Sequence, residues 1–186
     1  HALCETLALT KPSIYGRGVR VQDLVSAMAT LLKVEPRWSV EVAAMLSQLM
    51  LASLSDELAE KVCHGAILSK EEQATVLAAP DLVDRLIARI PRLESIRRII
   101  SDSLRSEPAI FSCSKPAQLI ALSQQFDVLR SQGVAASSAL AQLRERNYDR
   151  QCLDALESVV RRASNTGKVD LAHLTEGMVL AENIWS

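Results

Sequence analysis

An all-α bundle of about eight to ten helices is the fold this sequence predicts, on three observations. Apolar residues recur at spacings of three and four along almost the whole chain, the period of a helix with one buried face. Helix boundaries are written into it: Ser69-Lys-Glu-Glu72 is a capping box, and Gly65 and Gly133 stand where a helix end takes a left-handed residue. The chain's 186 residues, nearly half of them apolar, suffice for one substantial core with a small appendage.

The elements follow in order. A short helix is expected over residues 3–9, ahead of Lys11-Pro12, and a second over 18–33, with Val21, Leu24, Val25, Met28, Leu31 and Leu32 on one stripe. After Pro36 comes a strongly apolar helix over 38–51, then one over 55–64 closed by Gly65. The helix opened by Ser69 continues through 81–90, and Pro91 starts another that reaches 104. Residues 106–114, with Pro108, are expected as loop. Residues 117–131 form an amphipathic helix with Leu119, Leu122, Phe126 and Leu129 on one face. Two more helices span 135–145 and 149–163, and Ser164 to Lys168 breaks the pattern. The expected division is a helical domain over 1–165 and a tail over 166–186 carrying one strand, cut from a longer protein. Trp38, Met45, Leu46, Leu49, Leu119, Leu122 and Phe126 are the expected core.

Composition narrows the function classes. The formal net charge of −1 provides no overall field for nucleic acid or an anionic membrane, and aromatics at 3% leave little for base stacking. The apolar runs fall well short of the ~20 residues that span a bilayer. The start, with Cys4, Glu5, Lys11 and Pro12, lacks a charged leader followed by an apolar core, so the expected location is cytoplasmic. Cys4, Cys63, Cys113 and Cys152 are far apart and read as mostly buried thiols in a reducing compartment.

The segment from Ala44 to Lys61, followed by Leu68-Ser-Lys-Glu-Glu72, resembles the HD-GYP and related HD-domain signalling proteins. There the corresponding stretch reads roughly A-x-L-H-D-I-G-K-I-x-I-P-x-E-I-L-x-K, then L-T/S-x-E-E. Asp56, Glu57, Lys61 and Glu71 keep the trailing pattern, but Ser47-Gln48 stands at the metal-binding His-Asp pair, Met50-Leu51 at Gly-Lys, and Ser55 at Pro. The entry His of such domains falls near Arg17. Ala79-Pro80 stands at a His-Pro pair, and Ile99-Ile100-Ser-Asp-Ser-Leu104 where paired histidines follow two aliphatics; the Gly-Tyr-Pro signature is absent. Leu119 to Leu129 is similar to I-L-x-V-A-D-x-F-D-A-L, with Gln124 at the distal ligand Asp. Leu174-Thr-Glu-Gly-Met-Val-Leu-Ala-Glu-Asn-Ile184 resembles the strand after the helical domain of HD-type response regulators.

The resemblance implies an HD-type bundle whose relic-site positions, Arg17, Ser47, Gln48 and Gln124, lie together. A Ser-Gln pair is no substitute for imidazole and carboxylate as ligands of a hydrolytic metal, so no metal, no cofactor and no enzymatic turnover are expected. Asp127 is a candidate ligand contact facing the relic cavity, although satisfying a local polar partner is the commoner role of such a residue. Arg85 and Arg89, in a basic series with Arg92, Arg97 and Arg98, are candidate phosphate contacts. The interleaved Asp81, Asp84, Glu94 and Asp102 favour intrahelical salt bridges there instead. His64 and His173 miss the ligand positions. Three readings stay open: a non-catalytic signalling module acting through a protein partner or self-association, a metal-free sensor of a cyclic dinucleotide or other ligand, and an unorthodox phosphodiesterase.

Overall fold

Residues 10–104 and 112–166 are described by a computed structural model, and all regular elements among them are helices. They are α1 (Pro12–Leu31), α2 (Arg37–Leu46), α3 (Leu49–Ala52), α4 (Asp56–Cys63), α5 (Lys70–Ile87), α6 (Glu94–Ser103), α7 (Lys115–Ser131), α8 (Ala136–Arg144) and α9 (Arg150–Thr166). The expected helix over 3–9, most of the 106–114 loop, the tail strand and His173 lie outside the described residues.

Helix α1 is the spine. Its buried residues Ile14, Arg17, Gly18, Val21, Val25, Met28 and Ala29 recur every three or four positions, one continuous stripe along five turns. That stripe serves three apolar clusters in turn. Ile14 packs with Leu51, Leu54, Leu58 and Ala79; Val21 and Val25 with α2, α5 and α6; Met28 and Ala29 with α7, α8 and α9. Helix α7 lies against the same spine and is buried over most of its circumference, with Leu119, Ile120, Leu122 and Ser123 all inaccessible. It is therefore a central helix, where one apolar face was expected.

Several boundaries differ from expectation for identifiable reasons. The helix over 38–51 breaks at Ser47, whose Oγ donates to the Ala44 carbonyl at 2.7 Å and so competes with the helix ladder; Gln48 turns the chain into the one-turn α3. Helix α5 runs through Pro80 but ends at Ile87, and α6 begins only at Glu94, because Arg92 takes a left-handed conformation at φ +66. Trp38 is 56% exposed at the start of α2, outside the core assigned to it, and Met45 and Leu49 are only partly buried. Leu46, Leu119, Leu122 and Phe126 are buried.

The caps behave as their residues dictate. Ser55 accepts from the Leu58 amide, and Ser69 and Glu72 complete the reciprocal capping box. Gly65 closes α4 at φ +59, and a Cβ there would stand 2.5 Å from Gln132 Nε2. The Gln132 amide donates to the His64 carbonyl at 2.8 Å, tying the end of α4 to the end of α7. Cys63 and Cys113 are only half-buried, so the expectation of mostly buried thiols holds for Cys152 alone among the described cysteines.

Candidate functional site

The site forms where α1, the α2–α3 corner and α7 meet. Gly18 allows this closeness: a Cβ at that position would lie 3.1 Å from Met45 Sδ and 3.2 Å from Gln48 Cγ, so an Ala there would require those side chains to give by a few tenths of an ångström. Ser47 and Gln48 are almost inaccessible at this corner, and Gln124 reaches them from α7. Ser47 Oγ accepts from Gln124 Nε2 at 2.9 Å and from Gln48 Nε2 at 3.1 Å. Because the single hydroxyl proton goes to the Ala44 carbonyl, both amides must present N–H to the oxygen.

One turn along α7, Asp127 meets two arginines of α1. Arg20 donates from Nε at 2.7 Å and from Nη2 at 3.2 Å, a two-point pairing. The hydrogen bond to Asp127 holds the Arg20 guanidinium pKa above its ordinary value, against the opposing effect of burial. Arg17 is 6% exposed, and its Nε lies 3.4 Å from Asp127 Oδ2. That contact is electrostatic without hydrogen-bond alignment, and Arg17 Nε and Nη1, Gln48 Oε1 and Ser123 Oγ have no hydrogen-bond partner among the described residues.

Hydrogen bonds thus join Ser47, Gln48 and Gln124, while Arg17 meets Asp127 one turn along α7. The fold separates Arg85 and Arg89, which are exposed on and just beyond α5, Arg85 donating to the Asp81 carbonyl. One salt bridge in that basic region runs between helices: Arg97 of α6 grips Asp84 of α5 through both nitrogens, Nη2 at 2.9 Å. Asp102 also has a polar partner. His64 Nδ1 lies 2.9 Å from the Glu60 carbonyl, a local bond. Sequence reasoning missed Arg20 and Lys11. The signal for Arg20 was its i+3 spacing from Arg17 on the α1 stripe; nothing local marked Lys11, which reaches Leu54 and Asp56 across the fold.

Beside the Ser47 centre lies a cavity of about 410 Å³, lined by residues that include Lys11, Arg17, Arg20, Asp56, Glu60 and Asp127.

The fold's usual divalent metal does not fit the residues present. A hydroxyl already saturated as an acceptor, two amides that direct N–H inward and a buried guanidinium offer a cation no anionic ligand at the Ser47 centre. Asp127 is the nearby carboxylate, and it is committed to two arginines. No group of three or more His, Cys, Asp or Glu able to hold a metal occurs among the described residues.

No curated protein and no solved structure matches the chain. A family model described as HD domain matches residues 1–106, which takes in α1 to α6 and stops before Gln124 and Asp127 on α7. That match covers more than half of the 186 residues, and together with the all-helical architecture it places the chain in the HD-domain family.

Proposed function

We propose that this chain is a non-catalytic signal-transduction module, derived from an HD-type phosphohydrolase domain and serving as the output part of a bacterial response regulator in the cytoplasm. The carrying observation is the Ser47 centre, where both partner amides offer protons to a hydroxyl at the position of the family's metal-binding pair. Phosphodiester hydrolysis on this fold needs a metal-activated hydroxide and charge stabilisation on phosphate. A water held only by Ser and Gln keeps a pKa far above neutral and is a poor nucleophile. Purified protein should show no turnover of cyclic di-GMP or simple phosphodiesters above background, with manganese or iron added. Metal-dependent turnover that disappears in Gln48→Ala or Gln124→Ala would replace this reading with the enzyme.

The surface that suits an output contact is on α5. Leu82 and Leu86 follow one another a turn apart and are exposed, as is Leu77 on the same helix, and Ile90 is exposed just beyond its end. An apolar strip of this kind on a soluble helix marks an interface. Its occupant in this proposal is a second copy of the chain. Asp81 and Arg89 flank opposite ends of the strip, so an antiparallel pairing sets unlike charges against each other.

A metal-free ligand sensor is the second reading, and the cavity beside Arg17 favours it.

A further inference from the structure

We propose that α4 is a strap along one wall of the cavity at the start of α1, anchored at Leu54, and that a hydrogen bond from Gln132 at the end of α7 latches its free end. Its operation does not depend on whether the Ser47 centre is catalytic.

Asp56, Ala59, Glu60, Cys63 and His64, on α4 and at its end, line the cavity together with residues of α1 and α7. What fixes this wall differs from one end to the other. At the entry, Leu54 is buried in the apolar cluster with Ile14, Leu51 and Ala79. Lys11 donates to the Leu54 carbonyl at 2.8 Å and pairs with Asp56 at 2.9 Å. The buried residues of the helix, Leu58 and Ala59, both lie in its first half. Toward the exit, Lys61, Val62 and Cys63 are half-buried, and Glu60 and His64 are exposed. Burial, which holds the entry, fades along the helix.

The exit caps itself. The Ala66 amide bonds the Lys61 carbonyl at 2.9 Å and the Gly65 amide bonds the Val62 carbonyl at 3.2 Å, a pattern that the left-handed Gly65 permits. Among the described residues, two side chains of α7 take the outermost carbonyls. Ser131 Oγ donates to Cys63 at 2.9 Å, and Gln132 Nε2 to His64 at 2.8 Å. The Ser131 hydroxyl has one proton and a second acceptor, the Val128 carbonyl of its own helix at 2.7 Å, so Gln132 is the firmer tie. Gln132 and His64 are both exposed, so water replaces their bond when the strap lifts and no buried group is stranded. The ion pair of Lys61 with Glu72 is partly exposed and holds weakly. This end of the wall therefore opens more easily than the core, as lids over cavities do. Lifting it widens the way to Arg20 and Asp127, and a displacement at the end of α7 acts on the same latch.

Hydrogen–deuterium exchange of the whole chain, read by mass spectrometry, tests the strap. A helix of 8 residues lifted from its neighbours does not hold in water, so opening exposes its amides. Amides of residues 59–64 should exchange about tenfold faster than those of 119–126 in α7, with little dependence on urea below the unfolding transition. Gln132→Ala should speed exchange of 59–64 about threefold more and leave 119–126 unchanged. Gly65→Ala, which sets a Cβ 2.5 Å from the Gln132 amide, should do the same. Arg130→Gln breaks a bond to the Val134 carbonyl at the same end of α7 and should leave 59–64 as in wild type. Exchange of 59–64 at the rate and urea dependence of the core, or a rate that Gln132→Ala does not change, overturns the strap. So does a uniform acceleration of every helix in Gln132→Ala, the mark of a merely destabilised fold.

Discussion

Ser47 does two things with one oxygen: it ends α2 and accepts two amide protons. Its replacement tests how firmly the centre is built. Ser47→Ala strips the acceptor from Gln48, which is fully buried, and from Gln124, which is partly so. Each buried group left unsatisfied costs about 1–3 kcal/mol, so urea unfolding should show a total loss of about 2–3 kcal/mol. Ser53 makes the same kind of bond, to the Met50 carbonyl, but on the surface. Ser53→Ala should stay within about 0.5 kcal/mol of wild type, as surface substitutions do. Equal stability of both variants would mean the Ser47 network contributes nothing. Cys152 is the other buried polar residue whose state burial decides. Desolvation first, then the nearby Asp149, pushes its thiol up to about 12, so it stays protonated at neutral pH.

At the scale of elements, the join between α4 and α5 adds an ion pair to its apolar packing, and that pair should be visible in the pH dependence of stability. Lys61 near the end of α4 bonds Glu72 of the capping box at 2.7 Å and Glu57 at 3.1 Å. The Glu72 carboxyl is held below its ordinary 4.5, chiefly by the Lys61 ammonium and then by the Ser69 amide. A carboxylate with a depressed folded pKa stabilises the protein above its unfolded pKa and loses that effect as pH falls through the folded one. Acidification below about pH 4.5 should therefore weaken this join. Glu72→Gln, compared with wild type by thermal unfolding between pH 7 and 3, should be less stable at neutral pH and converge with wild type in acid. Parallel curves would show that the ionised pair is not what holds the two helices. The capping box was legible because its partners lie three residues apart, whereas Lys61 and Glu72 are separated by a loop whose path no local pattern specifies.

For the whole molecule, the prediction with functional weight is assembly through α5. Leu86 is 52% exposed, so Leu86→Glu should leave the monomer's stability unchanged while placing a charge at the centre of the proposed contact. Sedimentation velocity should show wild type gaining mass with concentration and the variant remaining monomeric; identical behaviour would remove α5 as the contact. The sequence by itself determined the helical class, most caps and the family, because each is encoded in short-range periodicity or in ordered motifs. It also singled out Ser47, Gln48 and Gln124, which hydrogen bonds join in the fold, because the order of motif positions is legible along the chain. It misjudged Trp38, whose apolar ring fitted the pattern of α2 but whose place at the helix start faces solvent. Only the tertiary structure decided that α7 is central, that Arg97 bridges helices, and that Arg20 and Arg17 share Asp127 over 107 and 110 residues of chain. Such pairings depend on which faces of two helices meet once three apolar clusters are packed around α1. That choice is made by volume and burial across the whole fold, and no local spacing carries it.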